Sequence, residues 1–434
     1  MQLSGWARFP RVEARVVGMR DAGDAARVVR AERSLIARGA GRAYGDAALN
    51  PACTLSTLRC DRILAFDPST GRVTAEAGLM LSELTGFAVP LGFFPPVTPG
   101  TRFVTVGGMI ASDVHGKNHH RDGSFGRHVE DLVLLCADGE ARRCSPRDNP
   151  ALFWATVGGM GLTGVILEAT FRLSRAETPW IRQETIRAPD LESAMEGLSA
   201  SGEWTYTVAW IDCLARGARL GRSLIYRGEH ATAAEAPSDP PRAGRHLGVP
   251  VDVPSWTLNR ASMAAFNELY YRRGRPGTSF VPWTTYFYPL DSVGAWNRIY
   301  GRAGFAQYQF VVPRDAGRVA LRAVLDRVAR GGNASFLAVL KLFGAQSDGM
   351  MSFPLEGWTL AMDFPLRART LNLMLELDAI VADHGGRLYF AKDSRAGAES
   401  VRAGYPRLDE FARVRASVDP ARRFSSLLSR RLDL

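Results

Sequence analysis

The chain has 434 residues, 46% hydrophobic and 23% charged, a length that favours two or three domains with sizeable cores. Five cysteines without CxxC spacing exclude a disulfide framework or a zinc knuckle, no apolar run approaches the ~20 residues that span a bilayer, and the first residues lack an apolar h-region, so a cytoplasmic protein is expected. The net charge of +10 is spread along the chain without a nucleic-acid-binding motif, which leaves a solvated face, a phosphorylated substrate or an anionic membrane surface as its use.

In chain order, "DAARVVRAERSLIARGAGRAYGDAA" reads as a helix, a short strand at "SLIAR" and a glycine-rich turn. "RILAFDPSTGRVTAEAGLMLSEL" reads as a hairpin running into a helix, and "VEDLVLLCADGEARRCS" as a second hairpin turning at Asp138-Gly139. "NPALFWATVGGMGLTGVILEATFRLS" predicts a capped helix, a glycine break and a β-branched strand. Residues Arg227 to Trp256, rich in Pro, Ala and charge, read as a mobile surface loop placed as a lid. Beyond them "TTYFYPLDSV", "FAQYQFVVP" and "FLAVLKLFG" are strand-like, separated by helices such as "AGRVALRAVLDRVARG"; the last stretch is strand, loop, then helices. The order is α+β without regular βαβ alternation.

Three glycine clusters stand out: "ARGAGRAYGDAA" (Ala37 to Ala48), "VTPGTRFVTVGGMIASDVHGKNHHRDGSFG" (Val97 to Gly126) and "TVGGMGLTGVI" (Thr156 to Ile166). None is a Rossmann fingerprint or a P-loop. Each alone is an ordinary tight turn, but three in one half suggest backbone wrapped around a large phosphorylated ligand. The second cluster carries four of the seven histidines, His115, His119, His120 and His128, and a lysine. Only Lys117, Lys341 and Lys392 are lysines; the rest of the 54 basic side chains are arginine. A chain that writes generic charge as Arg keeps Lys where a compact amine with a movable pKa is needed. The histidines lack Cys or carboxylate partners at metal-ligand spacing, so no metal site is expected.

The series RGxGRxYGD, PGTxxVTVGGxIxxDxHGKNHHxxGSFG, LFWATVGGxGLTG and YxAKDSR resembles flavin-dependent oxidases of the vanillyl-alcohol-oxidase type. More closely, it is similar to the decaprenylphosphoryl-β-D-ribose 2′-oxidase family, from about Gly39 through "WNRxYGxAGFxQYQFVxP" and "SFLxVxKLFG" to the end of the chain. The resemblance implies a two-domain fold. An FAD-binding domain (1–178) would be completed by a C-terminal segment (387–434), with an antiparallel-sheet substrate domain (179–386) between them. Carried residue by residue, Arg38, Gly39, Ala40, Gly41, Arg42, Ala43, Tyr44, Gly45 and Asp46, with Gly100, Thr105, Val106, Gly107 and Gly108, would hold the FAD pyrophosphate. Ser112, Asp113, Val114, His115, Ile166 and Tyr389 would line the rest of the cofactor. Lys117, Trp210, Gln307, Gln309, Lys341, Asp363 and Lys392 would face substrate, with Lys392, Tyr44 and His115 at the chemistry.

The implied reaction is FAD-dependent oxidation of the 2′-hydroxyl of a polyprenyl-phosphoryl-β-D-ribose to the 2′-keto sugar. A separate NAD(P)H-dependent short-chain reductase would complete a 2′-epimerisation to the arabinose, with peripheral contact at the cytoplasmic membrane and no nucleic acid involved. Arg42 stands where related flavoproteins carry a flavin-linking His, which implies non-covalent FAD. Thr359 and Ala361 replace the family's Asn and Cys, and Phe287 its Tyr. Two other readings compete: an FAD enzyme of a soluble aldonolactone or alditol, and a basic membrane-peripheral scaffold that binds a lipid phosphate without turnover.

Overall fold

A computed structural model describes residues 1–241, 247–332, 335 and 337–434. β-Branched runs on either side of the second glycine cluster form a five-stranded antiparallel sheet. Its order is Ala141–Cys144, Val129–Leu135, Val165–Arg172, Arg72–Glu76 and Ile63–Asp67. Both hairpins fall where the turn residues put them, with Gly139 at φ +82. A three-stranded parallel sheet of Val16–Gly18, Thr54–Ser56 and Ile36–Arg38 lies beside it, with the helix Ala22–Ala31 capped by Asp21.

The rest of the chain builds an eight-stranded antiparallel sheet. Its order is Gly277–Pro282, Trp180–Ala188, Ser223–His230, Tyr206–Ile211, Ala338–Phe343, Gly357–Pro365, Phe305–Pro313 and Arg387–Leu388. The helices Leu191–Ser199, Gly317–Gly331 and Ala368–Asp383 cover one face. Alternation follows the pleat: Ala306, Tyr308, Phe310 and Val312 join the core under these helices, and Gln307 and Gln309 point the other way. This matches the expected α+β architecture with an antiparallel second sheet. Among the described residues no helix is long and apolar enough to cross a membrane.

The chain end returns to its beginning. Phe424 bridges Leu35, Ser425 N–H donates to the Leu35 carbonyl at 2.8 Å, and Arg431 spans Asp46 and Asp393 at 2.9 Å each.

Three local readings change. "TTYFYPLDSV" is helical over Trp283–Phe287 and Pro289–Ser292, and only Val293 and Gly294 enter a strand. Pro282 and Pro289 have no N–H for a ladder, Tyr288 N–H closes onto the Thr284 carbonyl at 3.0 Å, and Tyr286, Phe287 and Tyr288 are buried together. Packing overrode the β propensity of the aromatic run. The supposed loop from Arg227 starts later, because the strand Ser223–His230 pairs along its whole length with Trp180–Ala188. Part of that lid reading, residues 242–246, lies outside the described residues. Asn149 sits at the cap of the helix Pro150–Thr156 but in the left-handed region, without a side-chain capping bond.

Candidate active site

A cavity of about 550 Å³ opens between the glycine segments and the exposed face of the eight-stranded sheet. Its first wall is backbone. A Cβ on Gly39 would meet Thr105 Oγ1 at 2.1 Å, and one on Gly107 would meet Ala77 Cβ at 2.9 Å, so the segments touch only because side chains are missing. Thr105 caps the short helix Val106–Ala111, its hydroxyl accepting from Gly108 N–H. Gly41, at φ +65, turns the first loop, and Gly100 has open space beside it. What faces the cavity here is main chain, with Arg42 packed 4.0 Å over Trp6.

The second wall is set by strand register. Gln309 lies opposite Ala361, Ala361 opposite Val339 and Val339 opposite Trp210; Val311 lies opposite Thr359, and Thr359 opposite Lys341. All but Val311 line the cavity. Lys117 and His115 come from the loop after the short helix, Lys392 and Tyr389 from the segment after the last strand.

Charge in this space is lopsided. Among the described lining residues the bases are Arg42, Lys117, Lys341 and Lys392, apart from His115, and the acid is Asp291. Burial pushes Lys117 down to about 7, with Lys341 adding repulsion, and burial pushes Lys341 down to about 8. Lys117 Nζ donates to the Tyr286 carbonyl and lies 4.2 Å over that residue's ring. Lys392 Nζ sits 3.5 Å over the Tyr44 ring. Burial pushes the Lys392 amine down and the Asp363 carboxyl behind it up, against the attraction between them. Tyr44, pushed up by burial, is a neutral phenol hydrogen-bonded to Gln307, which also donates to Asp363 Oδ1.

Hydrogen positions around His115 follow from one hydroxyl. Thr359 Oγ1 donates to the Phe310 carbonyl at 2.8 Å, so towards Gln309 it can only accept. The Gln309 amide nitrogen therefore faces it at 3.3 Å and reaches His115 Nε2 at 3.1 Å. Burial, then Lys341, holds His115 well below its ordinary value, so it is neutral with its proton on Nδ1. That Nδ1 is buried without a partner.

The structure brings most of the expected residues to one cavity: Gly39, Ala40, Gly41, Arg42, Ala43, Tyr44, Gly100, Thr105, Gly107, Gly108, Ser112, Val114, His115, Ile166, Tyr389, Lys117, Trp210, Gln307, Gln309, Lys341 and Lys392. It sets six behind the wall. Arg38 donates to the Ser4 and Ala48 carbonyls; Gly45 packs on Asp393 and Asp46 pairs with Arg431; Val106 is core. Asp113 ties Ser124, Gly126 and Ser352 together, and Asp363 supports Gln307. Of the other histidines in the second cluster, His119 packs on Phe343, and His120 and His128 meet the Trp204 and Asp122 carbonyls. Sequence reasoning missed Trp6, Tyr226, Tyr270, Tyr286 and Asp291, which reach the cavity through contacts distant in the chain.

Comparison with known proteins fits this geometry. A family described as "FAD binding domain" matches residues 14–145, and one described as "D-arabinono-1,4-lactone oxidase" matches residues 360–432. Decaprenylphosphoryl-beta-D-ribose oxidase of Mycolicibacterium smegmatis is 42% identical over all of this chain and 97% of its own length. The chain belongs to the decaprenylphosphoryl-β-D-ribose oxidase family. An uncharacterized protein of Streptomyces coelicolor is 40% identical over 82% of this chain and its own full length. L-gulono-1,4-lactone dehydrogenase of Mycobacterium tuberculosis is 24% identical over 91% of this chain and 89% of its own. The protein is thus an FAD-dependent oxidoreductase acting on a CH–OH group. Its first wall suits FAD: the main chain of Gly39 to Ala43 and of Gly100, which has open space where a side chain would stand, lines the cavity and can approach a pyrophosphate closely.

Two consequences are measurable. Thr359→Val keeps the shape but removes the acceptor, so the Gln309 amide is free to turn and His115 loses its fixed tautomer. Flavin reduction should fall about tenfold, the scale of one lost hydrogen bond, with ¹⁵N imidazole shifts showing mixed tautomers and Thr359→Ser restoring both. Unchanged shifts in the valine variant would remove Thr359 from this role. Lys117, lowered from 10.5 to about 7, binds fewer protons folded than unfolded between those values. On its account the stability of the ligand-free protein rises with pH from about 7 upward. Lys117→Met should flatten that rise in urea titrations at roughly pH 7 and pH 9, leaving the share owed to Lys341 and Lys392.

Proposed function

We propose that the protein oxidises the 2′-hydroxyl of a polyprenyl-phosphoryl-β-D-ribose to the 2′-keto sugar. This is half of a 2′-epimerisation that a separate NAD(P)H-dependent reductase completes. The observation that carries the reading is the convergence of Lys117, Lys341 and Lys392 on a cavity whose lining acid, among the described residues, is Asp291. A neutral aldonolactone or alditol leaves Lys117 and Lys341 without an anion, and a phosphate-linked sugar supplies one. The relative from M. smegmatis, named for the ribose, matches over the whole chain, whereas the lactone dehydrogenase is distant.

Bound FAD supplies the hydride acceptor for C2′. Lys392, its amine made available by burial, accepts the hydroxyl proton, and Tyr44 beneath it positions the amine. Lys117 and Lys341 hold the phosphate, and neutral His115 donates from Nδ1. Residues 1–178 with 387–434 form the cofactor half and 179–386 the substrate half. Arg42, lacking an imidazole, leaves FAD non-covalent, and the lipid tail of the substrate brings the enzyme into peripheral contact with a membrane.

Anaerobic mixing of the yellow holoenzyme with prenyl-phosphoryl ribose should bleach the flavin, and free ribose, lactones or alditols should not; acid precipitation should release the FAD. Bleaching by a lactone but not by the phosphorylated ribose would overturn the substrate. Lys392→Ala and Lys392→Arg should both slow bleaching by about 10²-fold or more, typical of a lost general base, with FAD retained. A wild-type rate in Lys392→Arg would reduce its role to charge.

A further inference from the structure

The helix Arg260–Arg273 is unusual for the outside of a water-soluble protein. Of its 14 residues only Met263 and Asn267 are buried. Asn267 is fixed inside by Asp212, and the acid on the helix, Glu268, is engaged by Arg222 and Arg272. The exposed side carries Ala261 and Ala265 around Arg272 and then Leu269 and Phe266, the last 43% exposed. Leu269 is 50% exposed, and Trp256, in the turn just before the helix, is 74% exposed. Exposed Arg260, Arg272, Arg273 and Arg275 flank these side chains. Exposed Trp256, Phe266, Leu269 and Tyr270 with arginines around them form a surface suited to a membrane interface, aromatic and apolar groups entering the lipid while guanidinium groups stay at the headgroups. The patch reaches the cavity through Phe266, which lies between Leu269 and Tyr270 on the helix and stacks on the Tyr270 ring at 5.9 Å. Tyr270 lines the cavity, packs 4.7 Å from the lining Trp210, holds Tyr226 through its hydroxyl at 3.1 Å, and is itself exposed on the helix.

We infer that the side of the helix Arg260–Arg273 carrying Leu269 and Phe266, with Trp256, docks on an anionic lipid bilayer and seats the cavity mouth against it. The inference rests on the reading of a prenyl-linked substrate and adds the surface that meets the membrane. With the mouth against the lipid, the sugar phosphate enters at Tyr270 while its tail stays among other acyl chains, so the tail is never exposed to water. The arginines meet lipid phosphates, and the single acid is already neutralised within the protein.

The test is flotation of holoenzyme with vesicles of phosphatidylcholine, with and without phosphatidylglycerol. Wild type should float with the anionic vesicles and much less with the neutral ones. The double variant Trp256→Glu, Leu269→Glu should stay at the bottom, and Arg273→Ala with Arg275→Ala should float only at low salt. Flavin content and bleaching by a short-chain, water-soluble prenyl-phosphoryl ribose should not change in the Glu variant, which shows that it folds. Turnover of a long-chain substrate embedded in the anionic vesicles should fall by about tenfold or more. Wild type that does not float, or a Glu variant that floats as well as wild type, overturns the inference. So does a wild-type dimer in sedimentation that the Glu variant loses, since the face would then belong to a second copy of the chain. Failure of the short-chain substrate to bleach wild type would instead strike the proposed reaction, which keeps the two failures apart.

Discussion

The site depends on the register between Phe305–Pro313 and Gly357–Pro365. Gln307 opposite Asp363 and Gln309 opposite Ala361 put two amides on one face while Tyr308 and Phe310 go under the helices. A slip of one residue would exchange the two sets, burying the glutamines in an apolar core and turning the aromatics into the cavity. Because Ala338–Phe343 pairs with the same strand, Lys341 would lose its place beside Thr359 as well. Antiparallel pairing over nine residues makes that slip expensive, and this regular backbone holds polar groups to the spacing that His115 and Lys392 require.

Charge follows a second rule. Several buried or half-buried arginines elsewhere in the protein are met by carboxylates or carbonyls: Arg222 by Asp212, Arg395 by Asp378, Arg431 by Asp46 and Asp393, and Arg387 by the Phe353 and Pro354 carbonyls. Lysines 341 and 392 face open space instead, with Asp363 set behind Lys392. A guanidinium there would stay charged and demand partners that the lining does not offer, whereas an amine can shed its proton until an anion arrives. The composition of the chain thus carries a physical choice about which cations have to be reversible.

Much of this was legible in the sequence, and unevenly so. "FAQYQFVVP" marked its strand in full because it is rich in aromatic and β-branched residues and alternates from Ala306 to Phe310. The glycine clusters announced close backbone approach, and the scarcity of lysine marked three cavity residues. "TTYFYPLDSV" misled because the aromatic packing that made it helical lies in Phe94 and Tyr206, far away in sequence. Trp6 and Tyr270 carried no local signal, since each reaches the cavity only through tertiary contact. Asp46, Asp113 and Asp363 shared motifs with residues that line the cavity, and spacing cannot distinguish a side chain that faces a ligand from one that braces the loop behind it.

The return of the chain end to its beginning has a bearing on biosynthesis. The first glycine loop leaves the ribosome early, yet Asp46 at its edge is held by Arg431, 385 residues later, and Leu35 beside it by Phe424. Contacts of such separation form last, after the intervening sheet has closed the distance between them. Until Arg431 arrives the loop is held by near neighbours, Trp6 N–H meeting the Ala43 carbonyl at 2.9 Å, and its Asp46 edge is the last part to be braced.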